Sequence, residues 1–196
     1  MQVIGITGNS GSGKSYISNE IIKYLESKVV QARLIDADEV VKKMQCGDTE
    51  YKKQIVKAFG NKILNDENEI NRKALANIIF NDNAEKEKLD KLTNEYVVED
   101  IKRQIKKTEN VDYLILDVPL LFECKLNNYC DITIGVISSM DKKINRICTR
   151  DKITKEEALK RLNSQKDDEF YKNRCNFTIE NNGDNDITKI IAEILQ

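Results

Sequence analysis

The chain has no histidine, no tryptophan, one proline (Pro119) and only eight glycines in 196 residues. Without histidine, imidazole metal ligands, imidazole general bases and Ser-His-Asp triads are excluded. Any chemistry must therefore use carboxylates, lysine, arginine or hydroxyls. The scarcity of proline and glycine leaves little room for flexible linkers, so the length reads as one domain with inserted subdomains. Neither sign of charge dominates: 32 Lys+Arg face 33 Asp+Glu, a net charge of −1. That balance speaks against a nucleic-acid surface, which normally carries an excess of basic residues. Apolar runs are short, as in Val3-Ile4-Gly5-Ile6, so no membrane-spanning helix is expected. The chain starts in a strand-like run with no basic leader, so no secretory signal is expected either. Five cysteines (46, 124, 130, 148, 175) form no C-x-x-C pair. Reduced thiols in a cytoplasmic protein are the expectation, with Cys124 and Cys130 buried and inert, and no obligate protein partner is called for.

What is present alternates between strand and helix patterns. Val3–Thr7 is a short apolar run closed by glycine, and Ser15–Glu26 repeats Ile17, Ile21, Ile22 and Leu25 at helical spacing. Ala32–Ile35 reads as a second strand, stopped by Asp36-Ala37-Asp38. Residues 39–107 read as mostly helical, with apolar faces at Ile55, Val56 and Phe59, at Leu75, Ile78 and Ile79, and at Leu89, Leu92, Tyr96 and Val97. A turn or small hairpin is expected over Gly60–Asn71. Tyr113–Leu116 and Asp131–Val136 are the next strands, and Phe177–Ile179 a fifth. Charged helices are predicted over Ser139–Asp151 and Thr154–Gln165, the second opened by a Thr154/Glu157 capping box, and a closing helix over Asp186–Leu195. Five strands separated by helices imply an α/β fold with a doubly wound, five-stranded parallel sheet. The two long helical stretches, about 39–107 and 139–174, are candidate inserts over the carboxyl edge of that sheet, where open α/β folds bind ligands.

One segment carries explicit chemistry. Gly8-Asn9-Ser10-Gly11-Ser12-Gly13-Lys14-Ser15 satisfies G-x-x-x-x-G-K-[ST] between a predicted strand and a predicted helix. Glycines let backbone N–H groups wrap a phosphate chain, and the helix N-terminus adds its positive dipole end. Gly11, Ser12, Gly13, Lys14, Ser15 and Tyr16 are thus expected to hold the phosphates of a nucleotide. Lys14 would meet the β- and γ-phosphates, Ser15 a Mg²⁺ ion, and the Tyr16 amide the α-phosphate. No N-K-x-D guanine signature is present. Asp36 and Asp38, at i and i+2, would hold a metal-bound water or orient an attacking hydroxyl, or one of them would cap the next helix. Asp117, after Leu114-Ile115-Leu116, is placed as a Walker-B-like Mg²⁺ ligand. Arg146 and Arg150 are four apart on one helix face and, with Arg161, are candidate phosphate-gripping residues of a lid. Lys142, Lys143, Lys152 and Lys155 read as solvated.

These motifs, taken in order, resemble dephospho-CoA kinase over essentially the whole chain. The resemblance rests on Gly5-Ile6-Thr7-Gly8 with Gly11–Ser15, Ile35-Asp36-Ala37-Asp38, Arg72 with Leu75 and Phe80, Asp117-Val118-Pro119-Leu120-Leu121-Phe122-Glu123, Arg146 with Arg150-Asp151, Gln165, and Asn181-Asn182-Gly183. It implies a P-loop kinase core (about 1–38, 108–138 and 175–196), a helical acceptor insert (about 39–107) and a lid (about 139–174). It also implies ATP-dependent phosphorylation of the ribose 3′-hydroxyl of dephospho-CoA, with both substrates small molecules. Carried over by position, Asp38 engages that hydroxyl, and Lys14 and Arg146 complete the catalytic set. Asp36, Arg72, Pro119, Leu120 and Glu123 fall on the acceptor side. Arg150 belongs with the lid arginines that grip ATP, and Asn181 lies near the base. The chain departs from the usual family residues at Tyr16, at Lys143 (usually Gln), at Asn94-Glu95 (usually His-Pro) and at Cys175-Asn176 (usually Ala-Asp). These departures leave open a kinase for another nucleoside or nucleotide, or a nucleotide-binding regulator without catalysis.

Overall fold

The structure is a computed structural model that describes residues 1–44 and 50–195. Cys46 therefore lies outside the described residues. Five parallel strands, β1 (Gln2–Gly8), β2 (Ala32–Asp36), β3 (Tyr113–Asp117), β4 (Ile132–Ile137) and β5 (Phe177–Glu180), form one sheet in the order β2-β3-β1-β4-β5. The doubly wound five-stranded parallel sheet expected from the sequence is thus the observed architecture. Its central strands are apolar on both faces, as a sheet covered by helices requires. Leu114, Ile115 and Leu116 of β3 and Ile4 and Ile6 of β1 are fully buried.

The chain divides into two compact units, Met1–Asp36 with Thr108–Gln196, and Ala37–Lys107. In the first, helix α1 (Lys14–Ser27) lays Ile17, Ile21 and Leu25 against Ile4, Ile6, Ile115 and Ile134 of the sheet, and α9 (Ile187–Ile194) joins that core through Ile191. Each burial of such a side chain is worth about 1.5–3 kcal/mol. Three further helices of this unit follow the fourth and precede the fifth strand: α6 (Met140–Asp151), α7 (Lys155–Asn163) and α8 (Asp168–Arg174). Ile144 and Ile147 of α6 pack on Ala158 and Leu162 of α7. Thr154 caps α7 in the predicted box with Glu157.

Alpha-helix α7 ends two residues before the predicted limit, at Asn163, and a new helix begins at Asp168. Asp167 explains the restart, because its carboxylate accepts the Phe170 N–H at 2.9 Å as an N-cap. The second unit holds α2 (Ala37–Met44), α3 (Glu50–Phe59), α4 (Arg72–Asn81) and α5 (Asn83–Lys107). Tyr51, Ile55, Phe59 and Ile63 form its core, covered by Leu75, Ile78, Ile79, Leu89, Leu92 and Tyr96. Those are the helical faces legible in the sequence. Between α3 and α4, a 3₁₀ turn and an antiparallel Leu64–Ile70 bridge make the small hairpin.

Candidate active site

The site grows from the junction of β1 and α1. β1 ends at Gly8 and α1 begins at Lys14, so the five residues between them form a loop over the helix N-terminus. Gly13 sits at φ +90°, and a Cβ there would run into the Asn181 carboxamide. Only glycine satisfies both conditions. Lys14, the first helical residue, places its ammonium on Asp117 Oδ1. Asp117 ends β3 in register with Ile6 of β1 and is 1% exposed. A carboxylate taken so far from water must be paired, and it has a second partner. Ser18, one turn after Lys14 and wholly buried, shares its hydroxyl proton between the Lys14 carbonyl at 3.1 Å and Asp117 Oδ2 at 3.0 Å. Lysine, aspartate and serine thus form one buried triad beneath the loop.

Alpha-helix α6 backs the other side. At Gly11 (φ +74°) a Cβ would lie 2.5 Å from the Lys143 carbonyl, so the helix backbone and the loop are in direct contact. One turn on, Arg146 donates to the carbonyls of Gly11 (3.1 Å), Ser12 (3.0 Å) and Asn181 (2.9 Å) and to Ser138 Oγ (3.3 Å). Asn181 is buried, and its side-chain amide donates to the Ser12 carbonyl at 2.9 Å. Arg146 and Asn181, expected at phosphate and base, are both seen here bracing the loop's carbonyls. Arg150 is exposed, forks onto both Asp151 oxygens (2.7 and 3.0 Å) and reaches Ser10 Oγ at 3.3 Å. Arg161 also contacts Asp151. The Arg150 hydrogen bonds, helped by Arg161, hold the Asp151 carboxyl well below the usual carboxylate range.

One reading needs correction. Lys143 was expected to be solvated on an exposed helix, but it is 3% exposed and ion-paired with Asp168 at the start of α8. The helix turns this position toward α8, and a lysine so buried needs a carboxylate.

The acceptor-side residues divide between the units. Asp36 is half-buried and ends β2 in register with Asp117. Asp38 is exposed in the first turn of α2, so it is a helical residue and does not precede the helix as a cap would. Arg72 is the exposed first residue of α4, behind the Asn71 cap. Pro119 offers its carbonyl to Thr7 Oγ1 at 2.9 Å. Leu120 is 41% exposed, unusual for leucine, and Glu123 is exposed as well. Ser15 and Tyr16 are also exposed, in the first turn of α1. The structure gathers the loop, Asp36, Asp117, Arg146, Arg150 and Asn181 in the first unit, and places Asp38 and Arg72 in the second.

Residues 2–186 match the family model described as dephospho-CoA kinase. The dephospho-CoA kinase of Fusobacterium nucleatum is 38% identical over 183 residues, covering 93% of this chain and 90% of that protein. The chain belongs to the dephospho-CoA kinase family. A solved dephospho-CoA kinase from Campylobacter jejuni superposes with a TM-score of 0.64 at 27% identity, covering 100% of this chain and 96% of that one. A Thermus thermophilus protein, TT1252, shares the fold with a TM-score of 0.77 at 23% identity, over 99% and 95% of the two chains.

A kinase of this family uses ATP, and a Mg²⁺ ion beside the phosphates would need hard oxygen donors from the protein. Among the described residues no cluster of three or more His, Cys, Asp or Glu forms a metal cage. Mg²⁺ needs none, since it keeps most of its waters and takes one or two protein oxygens plus phosphate. The buried Asp117 carboxylate and the exposed Ser15 hydroxyl supply hard oxygen donors of that kind, so the residues fit. Ser18 was missed from the sequence, although its i+4 spacing from Lys14 puts it on the same helix face. The Lys143–Asp168 pair was missed because no local pattern joins residues 25 apart.

Proposed function

We propose that this chain transfers the γ-phosphoryl group of ATP to the ribose 3′-hydroxyl of dephospho-CoA, giving coenzyme A and ADP, the final step of coenzyme A biosynthesis. The observation that carries this reading is the buried Lys14–Asp117–Ser18 triad under a complete phosphate loop, in a chain matching the family over residues 2–186. In the reaction the 3′-oxygen bonds to the γ-phosphorus and the bond from that phosphorus to the β,γ-bridging oxygen breaks. The hydroxyl proton passes to the Asp38 carboxylate, and ADP leaves with the electron pair. Little covalent work falls to the protein; positioning and charge neutralisation do most of it.

Loop amides from Gly11 to Tyr16 wrap the phosphate chain, and Lys14 neutralises its β,γ end. Asp117, paired with Lys14, would hold Mg²⁺ with Ser15. When bound, that ion would neutralise charge on the bridging and terminal phosphate oxygens. Arg146 keeps the loop's carbonyls turned back, which leaves its N–H groups for phosphate, and Arg150, one turn further along the same helix, reaches the loop at Ser10 Oγ. We assign the acceptor to Asp36, Arg72, Pro119, Leu120 and Glu123, with residues 37–107 as acceptor unit and about 139–174 as lid. Asn181 is assigned to the nucleotide side through its hold on Ser12.

The free thiols at Cys124, Cys130, Cys148 and Cys175 suit the reducing cytoplasm, where we place the enzyme. No described helix is long and apolar enough to cross a membrane. The test is turnover with Mg-ATP and each of dephospho-CoA, adenosine and nucleoside monophosphates. CoA formation from dephospho-CoA, with the others at least about tenfold poorer in kcat/KM, is expected; equal use of a nucleoside would contradict the acceptor.

A further inference from the structure

The residues between Gly8 and Gly11 are tied to a distant part of the chain. Asn9 is buried, and its side-chain amide donates to the Lys166 carbonyl at 2.7 Å. The neighbouring Ser10 N–H donates to the Gln165 side-chain oxygen at 2.9 Å. Ser10 Oγ in turn receives the Arg150 guanidinium. Three contacts thus join two loop residues to α6 and to the α7–α8 connector, residues 164–167, across about 140 to 157 positions of sequence.

Asn9 is oriented at a cost. With its nitrogen on the Lys166 carbonyl, its oxygen Oδ1 is buried with no hydrogen-bond partner. Rotating the amide would relieve that oxygen only by turning it against another carbonyl oxygen. A buried acceptor left unsatisfied calls for a reason, and function is a common one. Gln165 is exposed, so its bond to Ser10 cannot be a by-product of core packing.

We propose that Asn9 and Gln165 are positioning residues that clasp the first half of the phosphate loop to the α7–α8 connector. The clasp holds Ser10 and Arg150 at the γ-phosphate end of ATP. It rests on the kinase reading above and adds the means by which the helices of residues 139–174 set the loop's grip on ATP. Gln165 acts through the Ser10 backbone N–H, whose hydrogen bond its side-chain oxygen accepts.

The test compares wild type, Gln165→Met, Asn9→Ala and the double variant in dephospho-CoA-dependent ADP release, with thermal unfolding and calorimetric binding of ATP and ADP. Gln165→Met keeps the side-chain length and removes the acceptor at an exposed position, so it folds even if Asn9→Ala does not. The expected result is a rise in KM for ATP of about three- to tenfold, the worth of one neutral hydrogen bond. In Gln165→Met, kcat should stay within about twofold, ADP affinity should move less than ATP affinity, and the melting temperature should not change. Because both residues close one clasp, the double variant should be worse than the poorer single variant by less than the product of the two effects. An unchanged KM for ATP in Gln165→Met would overturn the proposal, as would equal losses for ATP and ADP or fully multiplicative effects. A wild-type enzyme inactive on dephospho-CoA would instead overturn the kinase reading, a result visible before any variant is made.

Discussion

The sheet unit and the helical unit reach order by different means. In the first, the residues assigned to ATP are held by partners remote in sequence: Lys14 by Asp117, Gly11 and Ser12 by Arg146, Ser12 also by Asn181. In the second, Tyr51, Ile55, Phe59 and Ile63 supply a small apolar core, while Asp38 and Arg72 stand exposed at the first turns of their helices. A charge-neutralising site for a triphosphate gains from being built before the ligand arrives, since preorganised dipoles need no rearrangement during reaction. Exposed side chains on short helices suit a site that meets a large acceptor at its surface.

Mutations that strike one unit at a time put that contrast at risk. Lys14→Ala should cost the most, about 10³–10⁵-fold in kcat/KM, because phosphate charge goes unmet and Asp117 is left buried without its cation. ATP binding and turnover should both fail, as calorimetry and steady-state rates would register. Asp38→Asn should lower kcat by about 10²–10⁴-fold, within the range of general-base catalysis, and leave ATP affinity intact. Near-normal turnover in that variant would remove Asp38 from the mechanism.

Stability separates the units next. Ile55→Ala should cost about 2–5 kcal/mol in the helical core, raising KM for dephospho-CoA before ATP binding suffers. Gly5→Ala strikes the sheet unit instead. Its Cβ would lie 2.6 Å from Cys130 Sγ and 2.9 Å from a Leu121 methyl. A loss of about 1–3 kcal/mol, read by thermal unfolding, is expected.

The smallest effect concerns pH. Burial pushes the Cys130 thiol up to about 12, with the nearby Asp131 charge adding to the rise. The fold favours the neutral thiol, so this contribution to stability is complete below the ordinary thiol value of about 8.5. It is lost as pH climbs from there toward 12. At pH 8 the half-buried Cys130 should resist alkylation in the native protein and react once denatured; rapid native labelling, detected by mass spectrometry, would contradict the raised thiol value.

Much of this is legible in the sequence, and the reason is locality. The glycine spacing around Lys14 announces a phosphate loop because strand, turn and helix N-terminus are contiguous. The apolar faces at Ile55 and Phe59, or at Leu89, Leu92 and Tyr96, follow from helical period alone and meet in one core. The position of Asp117 at the end of β3 is legible because it closes an apolar run. What escaped depends on residues brought together by the fold. No spacing rule links Asn9 to Lys166, 157 positions away, or ties Lys143 to Asp168. Lys143 reads as one more charge on a basic helix until the neighbouring helix buries it. The helical spacing of Arg146 and Arg150 is legible, but Arg146's hydrogen bonds to loop carbonyls are not, since an arginine pattern gives no hint whether its partner is a phosphate or a backbone.

The central claim is the pairing of this ATP site with dephospho-CoA, and one assay tests it directly. ADP release from Mg-ATP should be slow alone, rise steeply with dephospho-CoA, and match coenzyme A formed mole for mole. ATP binding without any stimulation by dephospho-CoA, and without coenzyme A among the products, would contradict the account.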